Sequence, residues 1–173
     1  MWDFFGTVRH RHSVRKYQTD IAVEREKLHA ILEMACAAPS AGDLQAYQII
    51  VVSTPAERDG LGRAAGGQTF LSEAPICLVF CADPDASAKQ YGERGRSLYA
   101  IQDATIAAAY AQLAVVAAGM GSTWVGAFDE AAVKELLAIP AHQRPVALLS
   151  IGYPAEMPEP TSRRHLNEIV RYR

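Results

Sequence analysis

Cysteine is scarce in this chain of 173 residues, and its three copies, Cys36, Cys77 and Cys81, include no CxxC pair. An odd number at these spacings indicates neither a disulfide framework nor a structural zinc site. Cys77 and Cys81 sit in PICLVFCAD, where they read as small core residues of a strand. A surplus of one charge is missing as well: 17 basic against 19 acidic residues leave a net charge of −2. Such a balance provides no field for nucleic acid or an anionic membrane surface. The N-terminal Met-Trp-Asp-Phe-Phe-Gly lacks a basic flank followed by an apolar core, so no export leader is expected and a cytoplasmic setting is. Internal repeats, low-complexity tracts and interdomain linkers are also absent from the sequence.

What is present is apolar content. Half the residues are hydrophobic and 21% are charged, which excludes a disordered chain and suits one well-buried domain over residues 1–173. The longest apolar stretch, 98–118, has the length of a membrane span but is mostly alanine and carries Gln102, Asp103 and Gln112. It reads as a closely packed helix of a soluble protein or of a dimer interface.

Apolar residues at Leu28, Ile31, Leu32 and Ala35 mark a helix over 24–38, stopped by Pro39. YQIIVV (47–52) and APICLVFCAD (74–83) read as strands buried on both faces, with a helix between them at 57–65. Residues 83–97 are polar and contain Pro and Gly, which predicts a loop into the long helix. After the Gly119-Met-Gly121 turn come a strand at 122–126, a helix capped by Asp129, a strand at 145–152, and an extended basic arm over 153–173. Interleaved helices and strands predict an α/β or α+β layered domain.

Four segments carry chemistry. In Arg9-His-Arg-His-Ser-Val-Arg-Lys16, an extended chain projects Arg11, Ser13 and Arg15 to one side and Val14 to the other. Two guanidinium groups and a hydroxyl suit a phosphate dianion; from these residues alone a solvated basic stretch stands beside that reading. Ala38–Tyr47 is a helix-to-strand loop whose small residues admit a flat ligand and whose Ser40 and Gln45 offer hydrogen bonds, or an ordinary turn. Gly119–Phe128 resembles a dinucleotide fingerprint only superficially: Trp124 replaces its third glycine and a helix precedes it, which excludes that motif. Arg163 and Arg164 form a second basic pair in the arm, either solvated or closing over a site built elsewhere. The five histidines, at 10, 12, 29, 142 and 165, have no spacing that marks a catalytic pair.

The order of these segments, RHSVRKY, APSAGDLQ before YQIIVV, EAPICLVFCAD, a long helix into GMGSTWVGAF, RPVALLSIGYPAE and SRRHLNEIV, resembles the nitroreductase family of FMN-dependent oxidoreductases along essentially the whole chain. The resemblance implies an α+β fold with a central, mostly antiparallel sheet flanked by helices. It also implies a homodimer with the long Ala-rich helix at its interface, and FMN bound between subunits.

Carried over by position, it assigns Arg11, Ser13 and Arg15 to the FMN phosphate and His12 to the ribityl side. Arg163 goes to the phosphate from the arm, Pro39, Ser40 and Gln45 to one side of the isoalloxazine ring, and Trp124, Val125 and Gly126 to the other. Gln68 falls near the ring's pyrimidine edge. Where many members carry a lysine two residues before the arm's arginine, this chain has Thr161, so Arg164 or Arg9 is the candidate for the missing charge. The chain also lacks the extra helices of larger members.

The implied activity is hydride transfer from NADH or NADPH to a nitroaromatic, quinone or flavin acceptor in a ping-pong cycle, the flavin carrying the redox chemistry. No acid, base or nucleophile triad is required. Two alternatives stand beside it: a specialised flavin enzyme of the same fold, fragmenting flavin or removing halogen reductively, and a flavin-free dimeric binding protein.

Overall fold

The structure, a computed structural model, describes residues 3–173; Met1 and Trp2, part of the N-terminal stretch read above, lie outside the described residues. Its centre is a four-stranded antiparallel sheet in the order β1 (Tyr47–Val52), β2 (Ile76–Ala82), β4 (Arg144–Gly152), β3 (Gly121–Val125). Strand alternation sorts the core into two layers. From β2, Cys77, Val79 and Cys81 face one layer with Leu61 of α3 (Pro55–Ala64), Leu71 of α4 (Phe70–Glu73) and Val133 of α7 (Glu130–Leu136). Ile76, Leu78 and Phe80 face the other, with Ile31 and Ala35 of α2 (Arg25–Cys36) and Ala107, Ala111 and Val115 of α6 (Ala100–Ala117). Every residue of β2 is buried, as its unbroken apolar run requires.

β1 departs from expectation. It is one of the sheet's two edges, only Val52 is fully buried, and Val51 is 41% exposed, because a strand with one neighbour has one flank open to solvent. The stretch expected as a loop over 83–97 also differs: it is α5 (Pro84–Arg94) followed by one π turn, Gly95–Tyr99. Asp83 caps this helix by accepting the Ala86 N–H at 2.9 Å, and Pro84 occupies its first turn, so local capping outweighs the polar composition. Gly92, at φ 55°, interrupts α5 near its end.

The long helix α6 is apolar enough by composition to cross a membrane, yet its Ala100, Ala104, Ala107, Ala108 and Ala111 are fully buried in the core. Their small side chains let its backbone approach the sheet closely. Asp129 caps α7 through the N–H groups of Ala131 and Ala132, as its position predicts. A short helix with no counterpart in the sequence reading, α1 (Phe4–His10), precedes the basic segment, and α8 (Leu166–Ile169) lies in the arm.

Candidate active site

The N-terminal basic segment is extended where it matters. α1 ends at His10, and Arg11 takes an extended conformation with φ −66° and ψ 109°. Beyond it, Ser13 makes a parallel bridge to Ser122 of β3, and the Val14 N–H donates to the Ser122 carbonyl at 3.1 Å. Val14 is buried, and a side chain at Gly121 would meet its Cγ2 at 2.6 Å; only glycine lets the segment lie this close to β3.

The grip on this segment is a buried relay. The Thr123 N–H donates to Ser150 Oγ at 3.2 Å, Ser150 and Tyr17 hydroxyls are 2.7 Å apart, and Tyr17 donates to the Val14 carbonyl at 2.8 Å. Since Tyr17's proton is on Val14, Ser150 is the donor to Tyr17 Oη. The Thr123 hydroxyl also donates to the Val14 carbonyl. Burial pushes the Tyr17 phenol up to about 12, so it stays a donor throughout the physiological range. Further along, Tyr17 bridges Pro154, and Lys16 pairs with Glu156 at 2.8 Å, which starts the C-terminal arm alongside the same segment.

With Val14 turned inward, the residues around it face a cavity of about 530 Å³. Arg11, His12, Ser13 and Arg15, with Arg9, line it from the N-terminal segment; Thr161 and Arg163 line it from the arm. Segments some 150 positions apart in sequence thus bring four guanidinium groups, two hydroxyls and an imidazole to one cavity, with Glu159 the single carboxylate in its lining. This donor set fits a phosphate dianion. Arg163 Nη1 is held by Thr161, through its carbonyl at 3.1 Å and its hydroxyl at 2.5 Å. Arg164 does not line the cavity; it pairs with Glu168 at 3.1 Å. Of the two side chains considered for the charge missing at Thr161, Arg9 is the one at hand.

Three sets of sequence-derived residues lie elsewhere. Pro39, Ser40 and Gln45 occupy the loop between α2 and β1, where Ser40 Oγ accepts the Gln45 N–H at 2.9 Å. Trp124 and Val125 end β3 on opposite layers, Trp124 partly buried beside α6's cluster and Val125 in the other, with Gly126 exposed just past them. Gln68 lies on a separate shallow depression of about 180 Å³ with Asp59 and Arg63. The buried thiols of Cys77 and Cys81 are raised by burial to about 12 and about 11, which leaves them inert packing groups.

Comparison with known proteins places the fold. The nitroreductase family model covers residues 8–70 and 61–153, from the basic segment through the last strand. The chain belongs to the nitroreductase family. An NADH dehydrogenase of Thermus thermophilus is 35% identical across 94% of the chain and 92% of that protein. An FMN reductase [NAD(P)H] of Bacillus subtilis is 32% identical across 83% of the chain and 63% of that protein. Among solved structures, a nitroreductase family protein from Streptococcus pneumoniae superposes with a TM-score of 0.89 at 26% identity, covering 99% of this chain and all of that one. The near-complete mutual coverage shows that compact members share this fold.

Sequence reasoning missed the residues that hold the basic segment. Tyr17 beside it, Thr123 on β3 and Ser150 on β4 lie far apart in sequence and leave no local pattern. Asp103 contacts the Pro39–Gln45 loop, and its one signal is an acid within an alanine-rich run.

Proposed function

We propose that this chain is an FMN-dependent oxidoreductase moving hydride from NADH or NADPH to a nitroaromatic, quinone or flavin acceptor, the two substrates taking turns in ping-pong order. The observation that carries this reading is the cavity where Arg11, Ser13 and Arg15 meet Arg163 from the arm. FMN, when bound, would supply the redox chemistry through N5 of its ring. The chain's own part is to bind and orient. Arg11, Arg15 and Arg163, with Arg9 beside them, would neutralise the phosphate, Ser13 would add a hydroxyl donor, and His12 would lie along the ribityl chain. Pro39, Ser40 and Gln45 would flank the ring on one side and Trp124, Val125 and Gly126 on the other, with Gln68 toward its pyrimidine edge.

The cavity is lined by the two terminal segments and by none of the ring-side residues, which supports a site completed by a second copy. Phe4 and Phe5 are each 67% exposed on α1 and Leu166 is 68% exposed on α8, apolar surface that such a copy would cover, with α6 contributing to the interface. Residues 1–173 would act as one FMN-binding domain with 153–173 as its arm. A cytoplasmic setting, where thiols stay reduced and NAD(P)H is held, goes with this reading.

The test is the visible absorption spectrum and an FMN titration of the purified protein, wild type against Arg11→Ala and Arg15→Ala. The expected result is yellow protein, and about a tenfold or greater loss of FMN affinity on removing either guanidinium. Colourless protein that neither quenches nor shifts added FMN refutes the reading.

A further inference from the structure

Asp103 is a carboxylate on α6 with 2% of its surface exposed, and the mechanism above makes no use of it. Its Oδ1 accepts the Ala41 N–H at 2.9 Å, while Oδ2 is buried without a partner among the described residues. A half-satisfied buried carboxylate is costly to keep, so the bond it does make is where a role is to be sought.

That bond ends on an unusual loop. Gly42, Asp43 and Gln45 have φ of 58°, 56° and 49°, so three of four consecutive residues are left-handed and two of them are not glycine. Strained backbone of this kind persists only where its surroundings over-determine it. Most of the loop's hydrogen bonds are internal: Asp43 N–H to the Ser40 carbonyl at 3.2 Å, Leu44 N–H to the Ala41 carbonyl at 3.1 Å, and Gln45 N–H to Ser40 Oγ at 2.9 Å. The Ala41–Asp103 bond ties this self-contained turn to α6. Tyr91 lies beside Gly42, where an added side chain would meet its hydroxyl.

We propose that Asp103 is a positioning residue, its carboxylate anchoring the Pro39–Gln45 loop to α6 so that Ser40 and Gln45 are held in place beside the flavin ring. The inference rests on the functional reading above for its ligand, and on Ala41, Gly42 and Asp103 for its geometry.

The experiment compares wild-type full-length protein with Asp103→Asn, Asp103→Leu and Gly42→Ala. Amide exchange over residues 38–46 is followed by mass spectrometry in flavin-free protein, and the FMN dissociation constant is obtained from fluorescence quenching. Asp103→Leu is expected to speed exchange at this loop and weaken FMN binding about tenfold. Asp103→Asn keeps a carbonyl acceptor for the Ala41 N–H and should restore both to within about twofold. Gly42→Ala leaves Asp103 intact but displaces the exposed loop against Tyr91, and it should weaken FMN binding without loss of folding.

An Asn variant that behaves like Leu overturns the anchoring role, since charge and not the accepted bond would then matter. A folded Leu variant with wild-type exchange and affinity overturns it as well, as does a Gly42→Ala variant whose faster exchange over residues 38–46 leaves affinity unchanged. Wild-type protein that binds no FMN overturns the functional reading together with this one, whereas normal wild-type binding with unaffected variants overturns this one alone.

Discussion

Replacing Tyr17 by Phe tests how the N-terminal basic segment is held. The change removes one oxygen from a site 4% exposed and keeps the ring. Two hydrogen bonds disappear, Tyr17 to the Val14 carbonyl at 2.8 Å and Ser150 to Tyr17 at 2.7 Å. No acceptor is orphaned, because Val14 keeps the Thr123 hydroxyl and Ser150 can turn to the Thr123 carbonyl 3.4 Å away. At about 1 kcal/mol net for each bond, the loss is about 2 kcal/mol. For a chain of this size that lowers Tm by about 4–8 °C.

The same hydroxyl gives a pH signature. Burial raises its folded pKa to about 12 from the ordinary tyrosine value of 10.0. A group raised on folding stabilises fully below its unfolded pKa, and the contribution is lost as pH climbs through the folded one. Wild-type stability should therefore fall by up to about 3 kcal/mol more than that of Tyr17→Phe between pH 10 and pH 12. Urea denaturation at pH 7, 10, 11 and 12, followed by circular dichroism, measures both effects. Equal stability at pH 7, or parallel alkaline losses in the two proteins, refutes the relay.

The arm and the sheet edge give two further expectations. Arg163→Ala should weaken FMN binding about tenfold, whereas Arg164→Ala, whose guanidinium pairs with Glu168 outside the cavity, should leave it within about twofold; fluorescence titration separates them. Gly121→Ala introduces a methyl group 2.6 Å from Val14 Cγ2 and should destabilise by about 1–3 kcal/mol in urea melts while weakening FMN binding, because it pushes the basic segment off β3.

Where a segment's own surroundings are uniform, its sequence reports them. The unbroken ICLVFCA run fits a central strand covered on both faces, the 3.6-residue spacing of Leu28, Ile31, Leu32 and Ala35 fits a helix with one face inward, and Asp129 fits a cap. The alternation of Arg11, Ser13 and Arg15 around Val14 belongs with these, since an extended chain separates odd from even residues wherever it lies. The order of motifs was enough to recognise the family and its cofactor class.

Other features depend on which distant segments meet, and no local period encodes that. YQIIVV reads like ICLVFCA, yet the topology leaves one at the edge and the other in the middle. The polar composition of 84–94 reflects solvent on most of α5 and hides the helix that Asp83 caps. Arg163 and Arg164 are adjacent and alike in sequence; the path of the arm past Lys16 and Tyr17 turns one into the cavity and leaves the other on Glu168. Asp103 finds Ala41 across 62 positions in the same way. Three cysteines without a CxxC pair and a near-zero net charge gave no indication of a disulfide framework, a structural zinc site or a field for nucleic acid, because those depend on composition and spacing. The arginine-lined cavity itself exists only once β3 and the arm close around the N-terminal segment, because convergence of charge is a property of the folded path and not of any stretch along it.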